Sequence, residues 1–106
     1  MSAIGEKENT ADVKAGLVLL EISGGACASC DALYPVLKEI ERQRGNFKVV
    51  CWDAESLAEE WFKERNIVRL PTCLLLNNGE EIGRFSGFQP TEILEIWLDA
   101  KISEIK

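Results

Sequence analysis

One short apolar segment, Leu17–Ile22, constrains the fold more than any other part of the chain. Glu21 alone interrupts its Leu, Val and Ile residues, and a run of this kind is typical of a strand that is covered on both faces. Ser23-Gly24-Gly25 ends the run, and apolar residues with helical spacing begin at Cys27. The segment therefore predicts a central strand that leads through a glycine loop into a helix.

The rest of the chain alternates between strand and helix patterns. Asn77-Asn78-Gly79 is a hairpin signal between two strand-length segments, so the last two strands should be antiparallel. This order predicts a single α/β domain over residues 1–106, with a central mixed β-sheet flanked by helices on both faces. The predicted helices are Thr10–Ala15, Cys27–Gly45, Asp53–Glu64 and one that begins at Pro90, and the predicted strands are Leu17–Ile22, Phe47–Trp52, Thr72–Leu76 and Glu80–Phe85.

Composition excludes several classes of function. The 106 residues include four cysteines and no histidine, which rules out Ser-His-Asp and Cys-His catalysis and histidine metal ligands. The net charge of −6, from 12 basic and 18 acidic residues, argues against nucleic-acid binding. The longest apolar stretches, Leu17–Leu20 and Cys73–Leu76, are far shorter than the ~20 residues that span a bilayer. We expect a soluble protein that binds neither nucleic acid nor membrane.

The N-terminal segment Met1–Lys14 is polar and has no apolar core of a secretory signal. The default expectation is therefore a cytoplasmic, reducing location. In such a compartment, four cysteines indicate catalytic, metal-binding or buried thiols rather than a disulfide framework.

The chemistry is concentrated in Cys27-Ala28-Ser29-Cys30, where the first strand pattern gives way to a helix. Cys27 is expected at the helix N-cap, where unpaired backbone amides and the helix dipole stabilise a thiolate. Cys30 lies one turn further along the helix, within disulfide reach of Cys27. Without further context, a Cys-x-x-Cys pair fits either redox chemistry or half of a zinc site.

The surrounding residues resemble the thioredoxin family over roughly residues 17 to 100. Glu21 lies six residues before Cys27, where family members carry a buried carboxylate, and Pro35 matches the proline inside the family's active-site helix. Ile67–Thr72 is similar to the family's Ile-Arg-x-Ile-Pro-Thr stretch, whose proline is cis and faces the disulfide. Asn78-Gly79-Glu80 and then Gly87 match the hairpin and the glycine that borders the substrate groove.

The resemblance implies a thioredoxin-like fold and a protein-disulfide reductase that cycles between a dithiol and a disulfide. Cys27 would be the nucleophile, Cys30 the resolving thiol, and Glu21 the group that exchanges a proton with Cys30. Desolvation of a carboxylate in an apolar strand raises its pKa, which suits Glu21 to proton transfer near neutral pH.

The same resemblance places substrate at Leu70, at a cis Pro71, at Gly87 and at Ala26. An extended substrate peptide would pair with the Leu70 backbone, a mode of binding that tolerates many sequences. The implied partners are protein disulfide substrates and an electron donor of the thioredoxin-reductase type. We expect a monomer that needs no cofactor and contributes to cell redox homeostasis.

The chain departs from the family pattern in four features. Ala26 replaces an aromatic residue, and Ala28-Ser29 replaces the usual Gly-Pro dipeptide. Asp31 stands where a basic residue is usual, so its charge should oppose thiolate formation at Cys27. The lysine that pairs with the family's buried carboxylate aligns with Val49.

Two other interpretations remain open. Ala26 and Asp31 favour an interaction module of the same fold with weak or no turnover. A metal site built from all four cysteines is disfavoured, because Cys51 and Cys73 are isolated in strand patterns. We expect both of these cysteines to be buried and inert, and Trp52 to be a core aromatic or else to replace the missing aromatic of the groove.

Overall fold

The computed structural model describes residues 13–105. They form four strands, three α-helices and one 3-10 helix. In chain order these are β1 (Leu17–Ser23), α1 (Ala28–Arg44), β2 (Lys48–Asp53), the 3-10 helix Ala54–Ser56, α2 (Glu59–Glu64), β3 (Thr72–Asn77), β4 (Glu80–Ser86) and α3 (Thr91–Ser103).

The sheet is mixed, and the strands of the described residues lie in the order β2-β1-β3-β4. β1 is parallel to β2 and antiparallel to β3, and β3 is antiparallel to β4. The hairpin between β3 and β4 turns at Asn78 and Gly79, which have φ values of 53° and 89°. Two consecutive residues with positive φ are characteristic of a type I′ turn, the type that Asn-Gly favours. The predicted central position of β1 and the predicted hairpin are both confirmed.

Each face of the sheet carries its own apolar cluster. Leu19 of β1 packs under α1 and α3, with Leu33, Leu37, Leu94 and Leu98 above it. On the opposite face, alternate residues of the strands, such as Leu20 and Trp52, pack with Trp61 and Phe62 of α2. The alternation arises because successive side chains of a strand point to opposite faces. Helices therefore cover both faces, as expected for this α/β fold.

The helix predicted over Asp53–Glu64 is wrong as a single element. Asp53 caps a separate 3-10 helix: its carboxylate accepts a hydrogen bond from the N–H of Glu55, and its carbonyl accepts one from the hydroxyl of Ser56. Leu57 is then extended, with φ −114° and ψ 146°, before α2 begins. Local side-chain hydrogen bonds of this kind compete with a continuous helix.

Residues 10–12 of the short helix predicted over Thr10–Ala15 lie outside the described residues. Val13 is helical, and Lys14 and Ala15 lie in a bend before β1. Within residues 13–105, none of the helices combines the length and the apolar character needed to cross a membrane.

Candidate active site

Cys27 and Cys30 form a disulfide at the N-terminus of α1, with their Cα atoms 5.2 Å apart. Cys27 is the N-cap residue, with extended backbone (φ −140°, ψ 100°), and its Sγ accepts a 3.2 Å hydrogen bond from the N–H of Cys30. Cys27 is half-buried, whereas Cys30 is 1% exposed. The two sulfurs therefore differ in access: Cys27 can be reached by a second molecule, and Cys30 is covered by the protein.

The glycine loop before α1 lies close to both the disulfide and the segment that leads into β3. The N–H of Gly24 donates to the Sγ of Cys30 at 3.5 Å. A Cβ on Gly24 would lie 3.0 Å from Cδ1 of Leu70 and 3.8 Å from Cβ of Cys27. Leu70 and Cys27 therefore both lie beside Gly24, and a side chain there would require the end of the Leu70 side chain to move.

The segment before β3 is held against the start of the loop after β4. The Leu70–Pro71 peptide bond is cis, and the N–H of Gly87 donates a 2.8 Å hydrogen bond to the carbonyl of Pro71. The hydroxyl of Thr72 donates to the carbonyl of Arg69 at 2.6 Å. Gly87 has φ 77°, a conformation that residues with a Cβ rarely adopt. Leu70, Pro71 and Gly87 thus belong to one hydrogen-bonded platform, and Ala26 is exposed beside Cys27.

Glu21 is fully buried on the sheet face that α1 covers. Among the described residues, neither of its carboxylate oxygens has a hydrogen-bond partner. Burial raises the pKa of Glu21 to about 7, the nearby Cys51 thiol opposes the shift, and the negative charge of Asp31 adds to it. Glu21 therefore has the environment predicted for it and can exchange a proton near neutral pH.

The strand register corrects the predicted neighbour of Glu21. Val49 pairs with Leu19 and packs in the core, whereas Cys51 lies directly beside Glu21 on β2. Cys73 lies beside Glu21 on the other side, in β3. The alignment of the family's lysine with Val49 was therefore two residues off. β1 and β2 are separated in sequence by α1, so their register is set by long-range packing and not by local sequence.

The two cysteines outside the disulfide differ from each other. Cys73 is buried, as predicted, and burial raises the pKa of its thiol far above the ordinary value. Cys51 is exposed, so its predicted burial is wrong: it lies on β2, at the edge of the sheet that the described residues form. Partial burial of its thiol and then the negative charge of Glu21 raise the pKa of Cys51 to about 11.

The other candidate residues are placed as follows. Trp52 packs in the core 5.8 Å from Trp61, ring centre to ring centre, so it does not replace the missing groove aromatic. Asp31 is exposed in the first turn of α1. Glu55 was not among the residues expected at the site. One of its carboxylate oxygens lies 3.3 Å from the position that a Cβ on Gly25 would occupy, so Glu55 is next to the glycine loop. The 3-10 helix brings Glu55 there, and no local pattern marks it.

The described residues contain no group of three or more His, Cys, Asp or Glu side chains arranged to hold a metal ion. The groups that the structure places at the site are a half-buried sulfur, a buried sulfur and a carboxyl group with a raised pKa.

Comparison with known proteins points to the same chemistry. A sequence model of the thioredoxin family matches residues 3–100. The chain is 30% identical to thioredoxin from Bacillus subtilis (strain 168) over 87 residues, which are 81% of this chain and 83% of that protein. It is 33% identical to thioredoxin C-2 from Corynebacterium nephridii over 86 residues, which are 80% of this chain and 79% of that protein.

These relatives, together with a Cys-x-x-Cys pair at disulfide distance, support a thiol–disulfide oxidoreductase function. Because the family match extends over nearly the whole chain and includes the strand–helix junction that holds Cys27 and Cys30, this protein belongs to the thioredoxin family.

Proposed function

We propose that the protein reduces disulfides in protein substrates, with Cys27 as the nucleophile and Cys30 as the resolving thiol. The observation that carries the proposal is the difference in access between the two sulfurs of one disulfide. A substrate can reach Cys27 at the N-cap, whereas Cys30 is placed to attack only a bond that Cys27 has already formed.

The cycle transfers two electrons. The Cys27 thiolate attacks one sulfur of the substrate disulfide, which forms a mixed disulfide and releases the other substrate sulfur as a thiolate. Cys30 loses its proton to Glu21 and attacks the Sγ of Cys27, which releases the second substrate sulfur as a thiolate and leaves the Cys27–Cys30 disulfide. The proton on Glu21 returns to the Cys30 sulfur when that disulfide is reduced. A donor of the thioredoxin-reductase type then supplies two electrons to restore the dithiol.

Substrate would bind across Ala26, Leu70, Pro71 and Gly87. This assignment is supported by the convergence of the Leu70 segment and the Gly87 loop beside the disulfide. Residues next to this platform expose large apolar side chains: Val68 is 92% exposed and Phe88 is 45% exposed. Such a surface suits a polypeptide better than a small thiol compound.

The state of the other two cysteines bears on the cellular location of the protein. We place the protein in the cytoplasm, because two cysteines remain free and a reducing compartment keeps them so. We propose that it acts as a monomer without a cofactor and contributes to redox homeostasis, and that neither nucleic acid nor membrane is a partner.

Reduction of insulin disulfides, with dithiothreitol as electron donor, tests the proposal. We expect the wild-type protein to accelerate reduction and Cys27→Ser to abolish the acceleration. Reduced Cys30→Ser, incubated with insulin after dithiothreitol has been removed, should accumulate a mixed disulfide that added dithiothreitol then releases. Cys73→Ala also lacks one cysteine but keeps the Cys27–Cys30 pair, so it is the matched control and should stay active. Equal rates for wild type and Cys27→Ser would overturn the proposal.

A second candidate is an interaction module of the same fold with little turnover. It is favoured by Asp31 in the first turn of α1, where its charge opposes thiolate formation at Cys27, and by the small exposed Ala26 at the rim. This candidate predicts partner binding that persists in Cys27→Ser, whereas the reductase predicts that covalent capture is lost.

A further inference from the structure

Glu21 is a fully buried ionisable group, and neither of its carboxylate oxygens has a hydrogen-bond partner at normal distance and angle among the described residues, although the Cys51 thiol lies near enough to influence it as a donor. It lies in a row across three strands, with Cys51 of β2 on one side and Cys73 of β3 on the other. A carboxylate that ionises in such a place needs a donor, because an uncompensated buried charge is costly. The row offers two thiols as candidate donors.

The groups around Glu21 shift its pKa in different directions. On α1, Cys30 is buried, and the negative charge of the next residue, Asp31, opposes ionisation of Glu21. The negative charge of Glu21 in turn raises the pKa of both flanking thiols. Within residues 13–105, the Cys51 thiol is the group that shifts the pKa of Glu21 downward, toward the ionised form, and it does so as a hydrogen-bond donor.

We propose that Cys51 is a positioning residue for Glu21: its thiol donates a hydrogen bond to the carboxylate when Glu21 ionises, and so sets the pH at which Glu21 can accept the Cys30 proton. This inference rests on the proposed function only in its last step, the transfer from Cys30. The hydrogen bond itself is a property of the sheet.

The surroundings of Cys51 suit this role. A pKa of about 11 keeps the thiol protonated, and therefore a donor, throughout the neutral range. Its place at the edge of the described sheet leaves it room to rotate toward the carboxylate, whereas Cys73 is fixed in the core. Beyond Cys51, the Ser23 hydroxyl and the charge of Asp53 are close enough to affect the same thiol.

The test is a titration of the Glu21 carboxyl group by infrared spectroscopy in the oxidised protein, with Glu21→Gln to assign the signal. Cys51→Val removes the donor and keeps an apolar side chain of similar size, and it should raise the pKa of Glu21 by about 0.5–1 unit, since a thiol is a weak donor to a charged group. Cys51→Ser restores a donor and should bring the pKa back to the wild-type value or below it.

Cys73→Ala is the matched control, because it removes the thiol on the other side of Glu21. It should shift the Glu21 titration by less than half of the Cys51→Val effect. No shift in Cys51→Val, no return in Cys51→Ser, or an equal upward shift in Cys73→Ala would each overturn the inference.

The pH dependence of insulin reduction then tests the catalytic consequence. In Cys51→Val the midpoint assigned to Glu21 should move in the same direction and by the same amount as the infrared titration, and an unmoved midpoint would overturn the positioning role. If wild-type protein reduced no insulin, the proposed function would fail, while the infrared titration of the oxidised protein would still decide whether Cys51 pairs with Glu21.

Discussion

The N–H of Gly87 donates a hydrogen bond to the carbonyl of Pro71, so the loop after β4 holds the segment that lies beside the disulfide. Gly87 can do so because its backbone adopts φ 77°. Gly16 has nearly the same φ, 76°, and a Cβ on either glycine would have no atom within 4 Å. The two glycines therefore have the same backbone requirement, but only Gly87 is at the site.

This pair allows a controlled prediction. Gly87→Ala and Gly16→Ala should each lose about 1–2 kcal/mol of unfolding free energy, the cost of a left-handed conformation for a residue with a Cβ. Only Gly87→Ala should also slow insulin reduction, because it loosens the platform. Urea denaturation and the insulin assay measure the two effects. Equal activity losses in both variants would remove Gly87 from the substrate platform.

The thiols of the reduced protein should react in a fixed order. At pH 7, we expect iodoacetamide to label Cys27 first, Cys51 much more slowly and Cys73 only after unfolding. Cys27 is at a helix N-cap, whereas Cys51 is exposed but has its pKa raised to about 11, and Cys73 is buried with a raised pKa. Peptide mass spectrometry against time gives the order. Labelling of Cys51 or Cys73 ahead of Cys27 would contradict the assignment of the nucleophile.

Burial of Glu21 should make stability depend on pH. Its pKa is about 7 in the folded protein against an ordinary value of 4.5, so between these two values the folded state holds a proton that the unfolded state has lost. Stability should therefore fall as pH rises from about 4.5 to 7, by at most about 3.5 kcal/mol, since each unit of pKa corresponds to about 1.4 kcal/mol.

Glu21→Gln, which stays neutral, isolates this effect. Below pH 4.5, the unfolding free energy of Glu21→Gln should differ from that of wild type by a constant amount. As pH rises toward 8, the unfolding free energy of wild type should fall relative to that of Glu21→Gln. Denaturant titrations of the oxidised proteins at pH 4.5, 6 and 8 test it. A constant difference across that range would show that Glu21 does not carry a raised pKa in the folded protein.

Removal of the Asp31 charge should make Cys27 more reactive. Asp31 is exposed in the first turn of α1, where its charge opposes that of a Cys27 thiolate. In Asp31→Asn, iodoacetamide should label Cys27 about two- to fivefold faster at low salt, with a smaller gain at 1 M salt because exposed charges are screened there. Glu92→Gln makes the same change in the first turn of α3 and should leave the rate unchanged. A slower or unchanged rate in Asp31→Asn would contradict the assigned effect of its charge.

The sequence was most informative where the determining interactions are local. Cys27 was predicted at the N-cap of α1, and its sulfur does accept an amide hydrogen bond there, because capping depends on residues within one helical turn. The Asn-Gly hairpin was predicted for the same kind of reason. The central place of β1 was predicted from its nearly continuous apolar run, which is typical of a strand covered on both faces. The helix over Asp53–Glu64 was wrong because the Asp53 and Ser56 side chains bind their own backbone instead.

By itself, the sequence determined that this is an α/β protein with a redox-active cysteine pair at a strand–helix junction. Only the tertiary structure decided that Cys51, and not Val49, lies beside Glu21, and that Cys51 is exposed while Cys73 is buried. The physical reason is that register and strand order come from pairing between distant parts of the chain, and a change of register alters the neighbour of every side chain. The buried surroundings that raise the pKa of Glu21 are therefore made by the packed sheet and not by its neighbours in sequence.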